Sequence, residues 1–306
     1  MPSALTAAQT TRCAQASRLL ADTDALDQVT VITVTYNSAH CIAGLAATLS
    51  RLQHVVVVDN ASNDGTVTAV ANAMPKAVVL SSDSNMGFGR ANNWGLETTT
   101  TPYALLLNPD CDITAEAIAA LVDAARRWPD AAMLAPQIQN AAGKPEINYR
   151  WPSTHWASTG PGAEADCCVG FLCGAAILIN QSNMREIGGF DPDFFLYYED
   201  DDLCCRTFNA GKSMMLIPSV TVTHRSRGSV GGNAPLSAEY TRGYFHAQSK
   251  IRFAAKHMGA AHSKQLLRKT LRLAYLSLVA RLLWPSPKYL ARNWGRVRGL
   301  QQWQPT

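Results

Sequence analysis

Four consecutive carboxylates, Glu199-Asp200-Asp201-Asp202, follow Tyr197-Tyr198 in a chain where only 16% of residues are charged. Neighbouring carboxylates raise each other's pKa, so such a run calls for a cation, for basic partners or for a role in moving a proton. Two further acids stand where apolar runs end. Asp59 follows His54–Val58, and Asp110 belongs to Asn108-Pro109-Asp110 after Tyr103–Leu107. His224 closes another apolar stretch, with Arg225 and Arg227 behind it. Acidic groups placed after successive strands suggest one site that handles a cation and a proton.

Each residue has a chemical and a plain reading. A carboxylate at a strand end, such as Asp59, can accept from the imide N–H of a uracil or thymine ring and so select the base; it can equally cap a helix or close a turn. Asp110, with a nucleotide diphosphate beside it, suits Mg²⁺ or Mn²⁺, hard ions that prefer oxygen ligands. The same tripeptide also makes an ordinary turn. Asp201 and Asp202 read as the first turn of a helix, where the dipole favours negative charge. Glu199 and Asp200 read as preceding that helix and are better placed as a general base. His224 is structural, or a ligand if a metal lies beside it. Arg225 and Arg227 can neutralise a diphosphate or solvate a loop.

These residues need a frame. Val29–Thr35 is β-branched and apolar throughout, a buried strand. Ser38 can cap a helix over about 39–52. Strands follow at His54–Val58, Ala77–Ser81 and Tyr103–Leu107, separated by turn chemistry at 60–65 and 85–89 and by helical stretches. A helix over 114–127 and a short strand at Ala131–Ala135 come next. Alternation at this spacing implies βαβ units and a mostly parallel, doubly covered sheet, with ligands at the carboxyl ends of its strands. Tyr36, Asp59 and Asp110 fall there. Residues 140–168 are irregular and read as a mobile loop. The acidic run opens a helix to about Ala210; Met214–Ile217 and Val220–Thr223 read as two short strands. From Ala238 the pattern is helical, broken at Pro285-Ser286-Pro287. The chain therefore divides into a lead-in helix at 1–28, an α/β domain at 29–237 (halves about 29–136 and 137–237) and a basic helical region at 238–306.

The net charge of +4 hides an asymmetry. Residues 240–306 carry 13 Lys and Arg and no acid, which leaves 14 basic and 23 acidic residues, a balance of −9, in 1–239. Such a tail is built to meet something anionic. No nucleic-acid motif accompanies it, so nucleic acid is not the expected partner. Basic helices carrying Tyr275, Leu276, Leu278, Leu282, Leu283, Trp284 and Trp294 fit an anionic membrane surface; a cap packed on the body or on a second subunit, as in a homodimer, is the alternative. The eight cysteines form no metal-ligand or disulfide pattern and read as reduced thiols of a cytoplasmic protein. The first 28 residues lack an apolar signal core, and no apolar run reaches the length of a spanning helix.

Thr35-Tyr36-Asn37 and the run Val55 to Thr66 (VVVVDNASNDGT) resemble the start of a family 2 glycosyltransferase. Asn85-Met86-Gly87-Phe88-Gly89-Arg90, Leu105-Leu106-Leu107-Asn108-Pro109-Asp110 and Gly188 to Phe195 (GGFDPDFF), running into Tyr198 to Arg206, resemble its rhamnosyltransferase-like branch. The resemblance implies a GT-A type nucleotide-diphospho-sugar transferase fold and an inverting, metal-dependent transfer. By position it makes Asp59 the base reader and places Thr35, Tyr36, Asn37, Asn85, Arg90 and Asn108 at the nucleotide. Asp110 and His224 would hold the divalent cation, Mg²⁺ or Mn²⁺, and Arg225 and Arg227 the diphosphate. Asp200 matches the catalytic base with Glu199 beside it, and Phe171, Gly174 and Ala175 fall where the acceptor packs. Asn108 stands where many relatives carry Asp, and Asp201 replaces an apolar residue. The implied reaction moves a sugar, L-rhamnose from dTDP-rhamnose before a UDP-sugar, to a glycan or polyprenyl-diphosphate-linked acceptor in bacterial surface polysaccharide synthesis. The implied place is the inner face of the cytoplasmic membrane. Two other readings remain: a sugar-nucleotide pyrophosphorylase, which would want a Gly-rich basic loop where Thr35-Tyr36-Asn37-Ser38 stands, and a catalytically silent binding module.

Overall fold

Runs such as Val29–Thr35 and His54–Asp59 are buried along nearly their whole length, so both faces of each strand need a covering layer. The computed structural model describes residues 24–150, 161–225, 236–283 and 285–304. Apart from a helical turn at 24–27, the expected lead-in helix lies outside them, as do Arg227 and Trp284.

Strands β1 (Val29–Thr35), β2 (His54–Asp59), β3 (Val78–Ser81) and β4 (Tyr103–Leu107) lie parallel in the order β3-β2-β1-β4, with Thr35 opposite Asp59. The sheet continues through β8 (Ala176–Asn180), β6 (Ala131–Gln139), β9 (Ser213–His224) and β5 (Cys111–Asp112), and β7 (Cys167–Cys168) pairs with β9. β8 runs antiparallel to β4 and β6. That reversal brings Gly174 and Ala175, just before β8, to the carboxyl end of β4, where Asn108 N donates to Ala175 O at 2.9 Å.

Consecutive strand residues point to opposite faces. Val31 and Val57 enter a core under α1 (Ala39–Leu49), α2 (Thr66–Ala73) and α4 (Ala115–Arg127). Ile32 and Val58 enter the other, under α3 (Phe88–Glu97), α5 (Gln181–Met184) and α6 (Glu199–Asn209). The doubly covered sheet is as the alternation predicts.

Several boundaries differ from the sequence reading. The two short strands expected at 214–217 and 220–223 are one strand of 12 residues, because an irregularity in its pairing with β6 at Pro136/Gln137 absorbs the break at Pro218-Ser219. For the same reason β6 runs on to Gln139. β5 and β7 are two residues each, too short for any periodicity. Ser38 makes no side-chain cap, since its hydroxyl is engaged with Tyr36; Asp64 Oδ2 accepts the Ala39 N–H at 3.1 Å instead, and Oδ1 accepts Thr66 N at 3.1 Å.

The carboxyl-terminal region folds as α7 (Leu236–Met258), α8 (Ala260–Leu283) and α9 (Pro287–Gln302). α7 is bound to the body: Phe253 packs with Phe194 and Cys205, Ser249 Oγ donates to Leu196 O at 2.9 Å, and Arg252 pairs with Asp193 at 2.9 Å. α9 crosses α7 with almost no space between backbones. A Cβ on Gly243 would lie 2.0 Å from Arg292 O, and one on Gly295 2.0 Å from Tyr240 O, so only glycine fits at this crossing. Among the described residues no helix is long and apolar enough to cross a membrane.

Candidate active site

A cavity of about 500 Å³ opens at the carboxyl ends of β1, β2 and β4, with Tyr36, Asn85, Asn108, Asp110 and His224 on its wall. The β5–β9 pair is what joins distant parts of the chain here: Cys111 lies opposite His224, and His224 Nε2 stands 3.5 Å from Asp110 Oδ1. Asp110 is 5% exposed. Its hydrogen bond to His224 and its charge raise the imidazole pKa against the opposing effect of burial. Asp110, Cys111 and His224 offer ligand atoms within 4.8 Å of one another. The Cys111 thiol is engaged elsewhere, donating to Ala175 O at 3.4 Å, and burial pushes its pKa far up. What is left, a carboxylate and an imidazole, is a donor set compatible with a hard divalent ion that draws further oxygens from a diphosphate.

The cavity wall is held by Asn60, which the sequence reading took as turn chemistry and gave no site role. Asn60 donates to Asn85 Oδ1 at 2.9 Å and accepts from Met86 N at 2.8 Å, fixing the turn before α3. Gly87 follows at φ 89°; a Cβ there would lie 2.4 Å from Phe195 O, which also accepts from Phe88 N at 3.0 Å. This contact seats the turn against the segment leading into the acidic run.

Other expected site residues stand off this wall. Thr35 is fully buried and donates to Asp59 Oδ1 at 3.1 Å, while Asp59 Oδ2 accepts from Ser62 N at 3.0 Å. Asn37, in the left-handed region at φ 53°, accepts from Asn63 N at 2.9 Å. Arg90 is exposed and donates to Pro192 O at 2.9 Å. Arg225 pairs with Asp112 at 2.6 Å.

A second cavity, about 340 Å³, shares Tyr197 with the first and is lined by Arg150, Phe171, Glu199, Asp200, Asp201 and His246. Here the structure corrects the sequence reading: α6 begins at Glu199, so all four acids lie in its first turn rather than two before it. Tyr197 and Tyr198 both have positive φ, 68° and 66°, and their rings pack on His246 from α7. Non-glycine residues in this conformation are strained and persist only where packing imposes it. The consequence is a sharp reversal that turns Glu199 and Asp200 into the cavity.

The four carboxylates then meet four environments. Asp202 is fully buried yet contacts Lys256 at 2.7 Å, His257 at 2.8 Å and Arg206 at 2.8 Å. Desolvation pushes its pKa up, but the hydrogen bonds from His257, Lys256 and Arg206 outweigh it and hold it at about 2; His257, though lowered by burial, rises to about 9 through the same bond. Asp201 pairs with Arg150 at 2.6 Å, whose guanidinium lies 3.8 Å over the Phe171 ring. Asp200 is half-buried, its Oδ2 3.2 Å from Gly174 N and its Oδ1 2.9 Å from Asp201 N. Burial first, then the Asp201 charge, raise it to about 6. Glu199 is 7% exposed, and its Oε2 has no hydrogen-bond partner among the described residues. Burial and the neighbouring Asp200 drive its pKa well above the usual range. Neighbouring acids pushed apart in this way take different roles.

The Asp202 cluster makes a stability prediction. Asp202→Ala leaves His257 and Arg206 without their carboxylate, while Lys256 keeps Asp191, and is expected to cost about 3 kcal/mol in urea unfolding near neutral pH. The folded carboxyl titrates below its ordinary value of 3.8, so its contribution is present above pH 4 and disappears as the pH falls toward 2. The difference between wild type and variant should shrink over that window.

Sequence reading also missed Arg150 and the α7 residues Glu239, Arg242 and His246, which wall the two cavities. Arg242 and His246 are four apart and so share a helix face, but nothing local says what that face meets. A larger cavity, about 900 Å³, lies at the other end of β4 beside Tyr103 and Asn180 and gathers no cluster of acids or ligating groups.

Residues 30–187, just over half the chain, match the family described as Glycosyl transferase family 2. An N-acetylglucosaminyl-diphospho-decaprenol L-rhamnosyltransferase of Mycobacterium tuberculosis is 29% identical over 268 residues, covering 76% of this chain and 86% of that protein. A low-salt glycan biosynthesis hexosyltransferase of Haloferax volcanii is 29% identical over 192 residues, covering 59% of this chain and 62% of its own length. Among solved structures, a mannosyltransferase of Pyrobaculum calidifontis in complex with GDP-Man and Mn²⁺ superposes with a TM-score of 0.54 at 18% identity over 95% of both chains. GalNAc-T7 with UDP, GalNAc and Mn²⁺ gives 0.54 at 15% identity over 76% of this chain and 54% of that one. The fold is of the GT-A type, and the chain, a glycosyltransferase, belongs to glycosyl transferase family 2.

Proposed function

We propose that this protein is an inverting transferase that moves L-rhamnose from dTDP-rhamnose to a polyprenyl-diphosphate-linked sugar in bacterial surface polysaccharide synthesis. The observation that carries the reading is Asp200, a half-buried carboxyl raised to about 6 on the wall of a cavity that adjoins the Asp110–His224 cavity through Tyr197. One cavity suits a nucleotide diphosphate and the other an acceptor hydroxyl. The transferred L-rhamnosyl group and the acceptor class rest on the mycobacterial relative, whose name states them for that protein, and dTDP as the carrier rests on the family resemblance.

In this reading Asp200 accepts the proton of the acceptor hydroxyl as that oxygen attacks the anomeric carbon from the face opposite the diphosphate. One displacement inverts the configuration. Gly174 N–H and Asp201 N–H hold the carboxylate in place, and burial beside Asp200 raises the Glu199 pKa, which disfavours a second negative charge there. Asp110 and His224 would hold a divalent cation, which when bound supplies positive charge to the departing diphosphate. Arg242, on the wall of the same cavity, adds fixed positive charge. Asn85 and Tyr36 flank the nucleotide; the imide edge of the base is assigned to Asp59, held off this wall by Thr35 and Ser62, on the family resemblance alone. That edge is the same in thymine and uracil, so a UDP-sugar remains the rival donor. Phe171, Gly174 and Ala175 border the acceptor. The basic and apolar outer face of α8 supports a location on the inner face of the cytoplasmic membrane.

Purified protein incubated with dTDP-rhamnose and a panel of UDP-, GDP- and dTDP-sugars, with Mg²⁺ or Mn²⁺ and a polyprenyl-diphospho-N-acetylglucosamine acceptor, is expected to release dTDP from dTDP-rhamnose and extend the acceptor by one sugar. Release from a UDP-sugar instead would replace the donor assignment. Nucleotide binding without turnover of any donor would favour a silent binding module.

A further inference from the structure

α8 is apolar on two sides. Leu267, Leu271, Ala274 and Leu278 pack inward against α7 and α9. Leu273, Leu276, Val279 and Leu283, spaced three or four apart, are 53–74% exposed on the outside. Exposed Arg268, Lys269 and Arg272 lie beside this stripe, and the region holds no acid to balance them. A stripe of this kind suits the interface of an anionic bilayer.

Between α8 and α9, next to the stripe, is a cavity of about 460 Å³ lined by Arg281, Arg292, Arg296, Tyr289, Asn293 and Ser277. Its wall contains no carboxylate. Arg292 is committed to Glu239, its Nε 2.7 Å from Oε2. Among the described residues no carboxylate pairs with Arg281 or Arg296; Arg281 lies 4.7 Å over the Tyr289 ring, and Arg296 donates to Asn293 Oδ1 at 3.4 Å. The first turns of α9, starting at Pro287, contribute Tyr289 and Arg292, and a helix amino terminus adds favourable charge for an anion. Converging guanidiniums with no counter-charge are costly unless an anion joins them, and their fork geometry matches phosphate oxygens. The cavity also abuts the transfer site: Arg292 pairs with Glu239 on the wall of the Asp110 cavity, and the Arg296 charge acts on His246 on the wall of the Asp200 cavity.

We infer that the arginine cavity between α8 and α9 binds the diphosphate of the lipid-linked acceptor while the outer stripe of α8 rests in the bilayer. The inference rests on the lipid-linked acceptor proposed above. Its test is binding without donor: full-length protein floated with vesicles of phosphatidylcholine alone, with added phosphatidylglycerol, or with a polyprenyl diphosphate added to equal charge. Wild type should bind the diphosphate vesicles on the order of tenfold more tightly than the charge-matched phosphatidylglycerol vesicles, and Arg281→Gln/Arg296→Gln should erase that margin. The thermal midpoint and nucleotide affinity of the double variant, measured alongside, should match wild type. If phosphatidylglycerol recruits equally well and the variant loses both, the cavity takes bulk lipid phosphate and the acceptor assignment is overturned. If a folded variant binds all vesicles as wild type does, the cavity is not a phosphate site. Wild type that binds diphosphate vesicles selectively but transfers no sugar would leave the cavity standing and overturn the transferase reading instead.

Discussion

Asp200→Asn lowers kcat by about a thousandfold, the usual contribution of a positioned general base, while nucleotide affinity stays near that of wild type. The amide matches the carboxylate in shape and can still accept from Gly174 N–H, so the loop and α6 keep their places. The nucleotide cavity is a separate one, joined only through Tyr197. The wild-type profile supplies a second check. A base raised to about 6 is protonated and idle below that pH, so kcat should climb through pH 6 and level off above it. Asp201→Asn removes a charge that raises Asp200 and releases Arg150, which lowers it, so the acid limb should move to lower pH. A variant at position 200 that keeps a tenth or more of wild-type turnover, or a limb that stays put when position 201 is neutralised, would remove Asp200 from the base role.

Loss of the Asp110 carboxylate is expected to be nearly as severe, and for a different reason. Asp110→Asn keeps the side-chain size but removes the sole carboxylate of the Asp110–His224 pair. Since even altered supporting residues cost 10- to 100-fold in metal affinity, Mn²⁺ binding in the presence of nucleoside diphosphate should weaken by about a hundredfold or more. The titration can be followed calorimetrically, and turnover should fall with it and recover in part at high Mn²⁺. Asn108→Asp tests the same geometry from the other side. Asn108 lines the cavity with Asp110, and a second carboxylate there should tighten Mn²⁺ binding. Full turnover in EDTA, unchanged by Asp110→Asn, would exclude a cation from this pair.

Part of this fold is written in local pattern. Buried runs such as Val29–Thr35 and Tyr103–Leu107 can only be central strands, and Asn108-Pro109 must end one of them because the residue before proline leaves the helical region. From strands alternating with helices came the doubly covered sheet, and from the sheet came the edge where Tyr36 and Asp110 stand. The quoted motifs carried the family. The rest depends on contacts between residues far apart in the chain and has no local signal. His224 meets Asp110 only through a two-residue strand pair, too short to leave a periodic signal. The acidic run looked like one cluster with a divided helix boundary; folding places all four acids in one helical turn and then separates them by environment. Lys256 and His257 from α7 neutralise Asp202, Arg150 takes Asp201, and burial lifts Asp200 and Glu199. The reversal at Tyr197-Tyr198 that aims them is conformationally unfavourable on its own and exists because His246, about fifty residues later, packs against both rings. Charge and strain of this kind are set by what surrounds a residue, and that is settled only when the chain has folded.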